Sequence, residues 1–415
     1  DAYRIFGAHS FNKAWISSEG INIPCEHYEW SHFFEIPTNF KVFEAWFKAQ
    51  GFEIELSGAG RILLKIIDSV GGIHGIRIFQ DEEIIKLLDK MSHAAVESEI
   101  KEADDEPVKS KVRAKTVSVK TWKDLLIKLN HNSAEVAERH FRNLINYKIL
   151  KGGVNLQCPE CAQHTWYALD DLSDRVTCER CLEKFDFPIV RPISKDNWHL
   201  RTIGPFSVEN YAQGGYSVAL SLRFFADHQL STEMTWIPSF SIKKKDSMSI
   251  EADFGIFLSQ GRLDEIKSPV VIFGECKSFF DEFTNKDINR MKQMADNFPG
   301  SVIAFCILRP TLTVREKKII AKLARRGRKH FKAERWLNPV LILTGIELFS
   351  DFGPPSCWKD KGVPCNTFAD NWHVRDGIQE LCNATQQMHL GIESYWKWYE
   401  QKRQKKLSKN KRNFN

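Results

Sequence analysis

Three charged side chains, Asp253, Glu275 and Lys277, stand in apolar runs of this sequence at a spacing that suits chemistry on phosphate. Glu275 and Lys277 are two residues apart in V-V-I-F-G-E-C-K, and Asp253 lies in the alternating run I-E-A-D-F. Because side chains two apart on a β-strand share one face, two neighbouring strands would bring two carboxylates and an ammonium together. Carboxylate oxygens bind Mg²⁺, and a lysine beside a bound water offsets the charge that builds on a phosphate. The trio therefore predicts the cutting of a phosphodiester bond.

The elements expected to position the trio follow a recognisable order. The apolar patterns predict a helix over 208–228, a strand over 234–242, the two strands that carry the trio, a helix over 285–297, a strand over 301–308 and a further strand over 340–348. This order, with the short E-x-K motif at Glu275, resembles the PD-(D/E)xK nuclease superfamily, the fold of many restriction endonucleases. The resemblance covers roughly residues 198–350, under half of the chain. One departure is Ala252, which stands where the proline of the family name would precede the aspartate.

The resemblance implies an α/β fold, α+β over the whole chain, in which a restriction-endonuclease-like mixed sheet is flanked by helices. It implies that Asp253, Glu275 and the backbone carbonyl of Cys276 hold one or two Mg²⁺ or Mn²⁺ ions. Lys277 would then position the attacking water or help to deprotonate it. Without the resemblance, Asp253 could simply end a strand, and Glu275 and Lys277 could be a solvated cross-strand pair.

Two neighbouring helices would contribute further residues. The resemblance implies a catalytic glutamate on the first helix and a polar residue on the helix after E-x-K, for which Glu209 and Gln293 are the available positions. Arg290 on that second helix, with Lys286 and Lys292, is expected to contact phosphates.

A second motif consists of two C-x-x-C pairs separated by sixteen residues. Its members are Cys158, Cys161, Cys178 and Cys181. Each pair forms a tight turn that presents two thiolates, and four thiolates fill the tetrahedral shell of a structural Zn²⁺. The stretch between the pairs reads as a short hairpin, so the segment resembles a zinc ribbon. Two disulfides are the competing interpretation. Some ribbons of this kind contact nucleic acid or a partner, but stapling a small module is the default role.

Changes in composition divide the chain into six predicted segments. They are a small α/β domain of unassigned role at 1–96, a charged linker at 97–120, a winged-helix-like module at 121–155, the zinc ribbon at 156–190, the nuclease core at 195–350, and a C-terminal loop, helix and basic tail at 351–415.

Charge and hydropathy limit the kinds of partner and the cellular location that we expect. The formal net charge is only +6, but the segment 311–336 holds ten Lys and Arg against two Glu, which suits a polyanionic substrate as well as a solvated helix face. Trp396, Trp398 and Tyr399 precede a basic tail and could stack on bases, although anchoring a terminal helix is the commoner use of such residues. The sequence has no apolar run of 18 residues or more and no secretory leader, so we expect a cytoplasmic protein without membrane contact.

These features together predict a Mg²⁺-dependent endonuclease that hydrolyses phosphodiester bonds of DNA, in the context of bacterial anti-phage defence. The expected partners are DNA and either further copies of the chain or a larger defence complex. Two alternatives stay open: a non-catalytic nucleic-acid-binding or scaffold subunit of such a complex, and an RNA-cleaving toxin with the same site. The sequence contains no Walker motif, so any ATP dependence would come from a partner.

Overall fold

The computed structural model describes most of the chain in eight segments and five short strands. The segments are 37–92, 116–188, 193–228, 232–245, 248–260, 269–331, 335–375 and 377–412, and the short strands lie at 15–17, 20–22, 33–34, 94–95 and 113–114. The chain divides into two compact units, Asp1–Glu55 with Ile242–Ser249, and Leu56–Ser241 with Ile250–Asn415. No helix in these described parts is both long enough and apolar enough to span a bilayer.

The first unit is small and aromatic. It contains the antiparallel strands β1 (Trp15–Ser17), β2 (Gly20–Asn22) and β3 (Phe33–Phe34), the helix α1 (Asn39–Lys48) and most of β4 (Glu53–Leu56). The side chain of Thr38 accepts the Lys41 N–H and so caps α1. Phe43 and Phe47 on α1 are completely buried, and Phe47 packs edge-to-face against Phe52. These rings form the core of the unit.

The second unit begins with helices and a small sheet. Its elements in chain order are α2 (Gly58–Ser69), α3 (Glu82–Ser92), β5 (Ala94–Ala95), β6 (Arg113–Ala114), β7 (Val117–Ser118), α4 (Val119–Leu129), α5 (Ala134–Asn146), β8 (Leu150–Gln157), β9 (His164–Ala168), β10 (Arg175–Thr177), β11 (Lys184–Asp186) and β12 (Trp198–Thr202). β7, β12, β8 and β9 form a sheet in that order, and β10 pairs with β11.

These boundaries differ from the predicted segments in two places. Leu63 and Ile66 on α2 pack into the same core as the helix that follows β12, so residues from Leu56 onward belong with the large sheet rather than with a domain at 1–96. Most of the predicted linker at 97–120 lies outside the described residues, while its last residues form β7 and the start of α4. The two helices and the strand expected of the winged-helix-like module are present as α4, α5 and β8.

The large sheet contains the strands that carry the trio. The elements are α6 (Glu209–Gln213), α7 (Gly215–His228), β13 (Thr232–Lys243), β14 (Ile250–Gln260), β15 (Val270–Lys277), α8 (Asn285–Asn297), β16 (Val302–Ile307), α9 (Val314–Gly327), β17 (His330–Phe331), β18 (Arg335–Trp336) and β19 (Val340–Leu343). Within this unit the strand order is β19-β16-β15-β14-β13. β15 is antiparallel to β14 and parallel to β16, which is in turn parallel to β19. The sheet is therefore mixed, and the chain as a whole is α+β, as predicted.

Helices cover both faces of this sheet. On one face, Phe225 of α7 packs against Phe254 of β14, and Ser221 contacts Cys276 of β15. Because side chains alternate along β15, Phe273 points the other way and packs against Phe298, which follows α8. Residues 275 and 277 share that second face, so the strand directs their side chains toward α8.

The last helices are α10 (Gly345–Leu348), α11 (Ile378–Leu390) and α12 (Tyr395–Arg412). The strand predicted over 340–348 ends at Leu343, because the Thr344 side chain caps α10 and Glu347 completes the capping box. The single C-terminal helix expected from the sequence is divided into α11 and α12. Gly391 lies between them with a φ of +62°, a left-handed conformation that ends α11.

Gly274 of β15 leaves room for the ring of Phe254 on β14. A Cβ atom at this position would overlap the buried ring of Phe254, which lies directly opposite in the strand register. We expect Gly274→Ala to lower the free energy of unfolding by about 1–3 kcal/mol, because the ring has no space to move into. Denaturation in urea measures this change. Gly58→Ala is the matched control, since no atom lies within 4 Å of its new methyl group, and equal stability of the two variants would contradict the packing argument.

Candidate functional site

The pairing of β14 with β15 brings the two predicted carboxylates together. The antiparallel register pairs Phe254 with Gly274, and one further step places Asp253 beside Glu275. Residues directly opposite each other on antiparallel strands point to the same face. The Oδ2 atom of Asp253 accepts the backbone N–H of Cys276 at 2.7 Å, which fixes the orientation of the carboxylate. The alignment expected from the alternating patterns is thus present.

Glu275 lies at the centre of an ion-pair cluster. Its side chain is 1% exposed. The Oε1 atom accepts hydrogen bonds from Lys277 Nζ at 3.0 Å and from Arg290 Nη2 at 2.5 Å. The Oε2 atom is buried and has no hydrogen-bond partner among the described residues. A buried carboxylate oxygen without a partner is costly unless a ligand compensates it.

Asp287 is a member of this cluster that the sequence analysis missed. Its Oδ1 atom accepts from Lys277 Nζ at 3.2 Å and from Arg290 Nη2 at 3.1 Å. Its Oδ2 atom accepts the backbone N–H and the hydroxyl of Thr284, each at 2.7 Å, and so completes the capping box of α8. The signal was available in the sequence, because Thr284 directly precedes the predicted helix and Asp287 is its third residue, the T-x-x-D spacing of a capping box.

Arg290 has a different position from the one expected. The sequence analysis assigned it to substrate phosphates, whereas its guanidinium pairs with Glu275, Asp287 and, through Nη1 at 3.2 Å, Glu251. Arg290 lies one helical turn after Asp287 on α8, which explains why both reach the same strand. The cluster formed by Asp253, Glu275, Asp287, Lys277 and Arg290 therefore contains three carboxylates and two cations.

The protonation of these groups follows from burial and from their neighbours. Burial, reinforced by the Asp253 carboxylate, raises the pKa of Glu275 to about 8 against the opposing effect of Lys277 and Arg290. Burial also raises the pKa of Asp253, although the Cys276 N–H opposes it. Burial would raise the pKa of Asp287 as well, but the hydrogen bonds from Thr284 outweigh it and lower the pKa to about 2. The carboxylates therefore differ in how readily they ionise.

Lys277 remains an ammonium ion at neutral pH. Burial alone would lower its pKa, but the carboxylates of Glu275 and Asp287 outweigh that effect, so the pKa is raised above the ordinary value. A lysine of this kind is a hydrogen-bond donor and a positive charge rather than a base.

The cluster opens into a cavity of about 540 Å³. Polar groups dominate its wall, including Asn210, Gln213, Ser239, Asp281, Glu282 and Thr284. Two of these come from α6, where the sequence analysis expected one continuous helix over 208–228. Instead, the four residues from Asn210 to Gln213 have φ values of 54–57°, and the right-handed helix begins only at Gly215.

The left-handed turn from Asn210 to Gln213 is held by a distant contact. Residues other than glycine disfavour this conformation by roughly 1–2 kcal/mol each. The backbone N–H of Tyr211 donates to Oδ1 of the buried Asp89 on α3 at 2.6 Å. Burial, with added effects from Asp89 and other carboxylates, raises the pKa of Tyr211 to about 12. α3 thereby helps to position the residues that face the cavity.

The two remaining predicted catalytic residues lie apart from the cluster. Glu209 is exposed at the start of α6, and Gln293 is exposed on α8. Neither belongs to the described residues that line the cavity. Cys276 contributes through its backbone, while its thiol is buried on the opposite face of β15 against Ser221.

The four cysteines of the C-x-x-C pairs form one cluster. Their sulfur atoms lie within 4.8 Å of one another, and two contacts join the pairs: Cys158 to Cys181 at 3.7 Å and Cys161 to Cys178 at 3.6 Å. These distances match the roughly 3.75 Å between thiolates in a tetrahedral site with Zn–S bonds of about 2.3 Å. All four cysteines are free, so the competing interpretation of two disulfides, with sulfur atoms about 2.05 Å apart, does not hold in this structure. The cluster can therefore hold a metal ion such as zinc.

The two halves of this cluster have the same local geometry. Ala162 and Leu182, each one residue after a pair, have φ values of 56° and 66° and donate their N–H groups to the carbonyls of Cys158 and Cys178 at 2.9 Å. The N–H groups of Cys181 and Arg180, together with the neighbouring thiols and against the effect of burial, lower the pKa of Cys178 to about 6. Against the hydrogen bond with the Glu183 backbone, burial and the neighbouring thiols raise the pKa of Cys181 to about 12. The four thiols therefore share their protons unequally, and Cys178 is the one most ready to ionise, as metal binding requires. Among the described residues, no other group of three or more His, Cys, Asp or Glu side chains lies close enough to hold a metal.

The basic segment 311–336, for which phosphate contact and a solvated helix face were both expected, is divided by the structure. Arg328 is fully buried and donates to Gln386, while Arg325 and Arg326 pair with Glu393 and Asp296. Among the side chains of this segment that the structure describes, the exposed cations are Arg315, Lys318, Lys322, Arg325 and Lys329. A solvated basic face remains, but it is smaller than the sequence count indicates.

Comparisons with known proteins add little information about this site. No family profile matches the chain, and the comparison with curated proteins finds no match. Among solved structures, the chain is similar to the protein VC1899 from Vibrio cholerae, at 8% sequence identity and a TM-score of 0.32. The alignment covers 81% of this chain and 63% of that protein, so the chain spans less than two thirds of its length.

Proposed function

We propose that this chain is a metal-dependent endonuclease that hydrolyses phosphodiester bonds of DNA, with Asp253, Glu275 and Lys277 as its catalytic residues. The observation that carries the proposal is the unpartnered, buried Oε2 atom of Glu275 beside Asp253, in a cluster that opens into a polar cavity. Two carboxylates and a lysine aligned on one face can bind a metal ion and stabilise charge on a phosphate, which phosphodiester hydrolysis requires.

The residues present fit a hard cation. Mg²⁺ or Mn²⁺ takes oxygen ligands, and Mg²⁺ is commonly held by one or two carboxylates with water and substrate phosphate completing the shell. Asp253, Glu275 and the backbone carbonyl of Cys276 would hold it, and the unpartnered Oε2 atom supplies a ligand oxygen. When bound, such an ion activates water and stabilises the charge that develops on the phosphate.

The protein's own groups have separate roles in this proposal. Lys277, as an ammonium ion, donates a hydrogen bond to the attacking water and offsets charge on the phosphate. Its raised pKa favours this role over deprotonation of the water. Arg290 donates to the Oε1 atom of Glu275. Asp287 accepts from both Lys277 and Arg290. Glu275 and Lys277 are therefore oriented before substrate binds.

The wider assignment is part of the same proposal. The mixed sheet with helices on both faces supports a restriction-endonuclease-like core at 195–350. A structural Zn²⁺ in the four-cysteine cluster would staple the ribbon. We further propose action on DNA in anti-phage defence, as a homo-oligomer or within a larger complex.

One observation favours a second candidate, a non-catalytic nucleic-acid-binding or scaffold subunit. Lys277 and Arg290 are both paired with Glu275 and Asp287, so most of the charge in the cluster is already balanced within the protein. A site with no chemistry to perform could retain such a network for structural reasons.

A cleavage assay separates the candidates. The full chain is incubated with supercoiled plasmid, single-stranded DNA and RNA, each with Mg²⁺, with Mn²⁺ and with EDTA. Metal-dependent cutting of DNA is the expected result. Cutting of RNA alone would select the toxin alternative, and no cutting of any substrate with either metal would leave the binding subunit as the function.

The pH dependence of metal binding follows from the pKa of Glu275. That pKa is raised to about 8, so below this pH the carboxyl group carries a proton in the metal-free protein. A carboxyl ligand must lose its proton to bind metal, so the apparent affinity for Mg²⁺ should weaken up to about tenfold for each pH unit below this value and level off above it. Calorimetric titration with Mg²⁺ over about pH 6.5 to 9 measures this. An affinity that does not change over this range would contradict the protonation assigned to Glu275.

A further inference from the structure

An aromatic groove lies between the start of α12 and the strands β17 and β18. Its wall is formed by His330, Trp336, Tyr395, Trp396 and Tyr399, and the facing wall by Gln379, Glu380 and Asn383 of α11. The groove has a volume of about 240 Å³. That is below the roughly 300–1,000 Å³ of a typical small-molecule pocket, so it suits a single flat group.

The aromatic side chains divide into an anchored set and an exposed set. Tyr395 packs on the buried ring of Trp336 at 4.4 Å between centroids, and its hydroxyl lies 2.7 Å from Nε2 of His330. These residues anchor α12, a role that the sequence had suggested for Trp396, Trp398 and Tyr399 instead. Trp396 and Tyr399 are different, because they remain 68% and 40% exposed. Both rings contact the anchored set, Tyr399 at 5.6 Å from His330 and Trp396 at 6.1 Å from Tyr395 between centroids, but much of their surface stays open at the mouth of the groove.

Basic charge continues from the exposed rings along the same helix. Trp396, Tyr399 and Arg403 are spaced three and four residues apart, so they share one face of α12. Lys402 lies over the ring of Trp398 at 4.8 Å. From residue 395 to 412 the sequence has eight Lys and Arg against one Glu. A polyanion that follows α12 would therefore pass the mouth of the groove.

The groove itself favours a base over a phosphate. Glu380 lies in its wall and would repel an anion, but a carboxylate accepts hydrogen bonds from the N–H groups of unpaired bases, including N3–H of thymine. Stacking on aromatic rings combined with a basic track for the backbone is how proteins bind single-stranded nucleic acid. A duplex keeps its bases stacked inside and cannot offer one to the groove.

We propose that this groove binds an unpaired nucleobase of single-stranded DNA, with Trp396 and Tyr399 stacking on the base and α12 contacting the phosphates. The groove is separate from the carboxylate cavity. The cavity lies at the end of β15, at Lys277. Trp336 of the groove is two residues before Asn338, whose side-chain amide donates to the carbonyl of Ser301 just before β16 begins. Because β15 and β16 are parallel, the groove is at the opposite end of these strands from the cavity. The proposal does not require cleavage, and it adds a strand-type preference to the chain.

The test is the binding of fluorescein-labelled oligo(dT), followed by anisotropy without added Mg²⁺ or Mn²⁺, so that no metal-dependent cutting occurs and structural zinc is not chelated. Trp396→Ala and Tyr399→Ala are each expected to weaken binding about 5- to 100-fold. Tyr399→Phe keeps the ring and should bind as the unchanged chain does. Phe352→Ala is the matched control, because this exposed ring lies outside the groove, and it should also have no effect.

A duplex of the same length separates base stacking from charge. Binding of the duplex should be changed less than twofold by Trp396→Ala, because only phosphates contact α12 in that complex. Equal losses for duplex and single strand would overturn base recognition. Unchanged binding of oligo(dT) by both alanine variants would overturn the site and assign the rings to a protein partner. Because binding is measured without added Mg²⁺ or Mn²⁺, either result is distinct from a failure of the cleavage assay.

Discussion

Glu275→Gln is expected to lower the rate constant of metal-dependent cleavage by about 10³-fold or more. The substitution keeps the shape of the side chain but removes the negative charge that would bind the metal. Lys277→Ala should lower the rate by about 10²- to 10³-fold, which is the usual effect of removing one donor from developing charge. Single-turnover cleavage of plasmid DNA measures both. Asp287 still pairs with Arg290 in each variant, so the fold should be retained, and circular dichroism checks this.

Two further variants act as controls and as a test of the site's boundary. The resemblance to PD-(D/E)xK nucleases assigns catalytic roles to Glu209 and Gln293, whereas both are exposed and outside the described cavity wall. Glu209→Gln and Gln293→Ala should therefore cut within about twofold of the unchanged rate. Normal cutting by Glu275→Gln would remove the proposed site altogether. A large loss in either control would instead show that the cavity closes around substrate and brings these residues in.

Cys178→Ser is expected to abolish zinc binding and unfold the ribbon. The core of this module is small, being built from Val154, Leu156, Tyr167, Val176 and Phe185 around the cysteines. Structural zinc contributes an apparent free energy of about 10–16 kcal/mol in comparable modules, far more than so few apolar residues can supply. The purified chain should contain one zinc per molecule, the variant none, and the stretch 157–188 should become sensitive to protease.

Cys365→Ser is the control for this change, because Cys365 is also buried but lies outside the ribbon. It should keep its zinc and its resistance to protease. Metal content by mass spectrometry, with peptide mapping of the cleaved chain, gives both readings. Retention of a full equivalent of zinc by Cys178→Ser would show that the four thiols are not the ligands.

Local patterns were sufficient for the parts of the site that lie on single strands. Alternation placed Glu275 and Lys277 on one face, and the C-x-x-C spacing anticipated the four-cysteine cluster. The strands of the sheet, in their order along the chain, and the helix after E-x-K also followed from hydrophobic periodicity. In these cases the covalent spacing of the residues and the geometry of a strand or turn leave few alternatives.

The remaining parts depend on tertiary contacts that no local pattern encodes. The segment E-N-Y-A-Q reads as helix, but its left-handed conformation depends on a hydrogen bond from Tyr211 to Asp89, more than a hundred residues away. Arg290 was recognised as a phosphate-binding candidate because a cation on an exposed helix face has that use. Its actual partners became visible only when α8 was packed against β15.

Asp287 both caps the start of α8 and pairs with the two cations of the cavity, so the stability of the helix start and the charge balance of the cavity are coupled. A change at Thr284 alters the carboxylate that Lys277 and Arg290 share, although Thr284 has no role in the proposed chemistry. Energetic effects at helix cap and cluster are therefore non-additive. The cap and the cations are therefore constrained together in evolution. A cap substitution that would be neutral in another helix is expected to be selected against here, because it also changes the charge balance of the cavity.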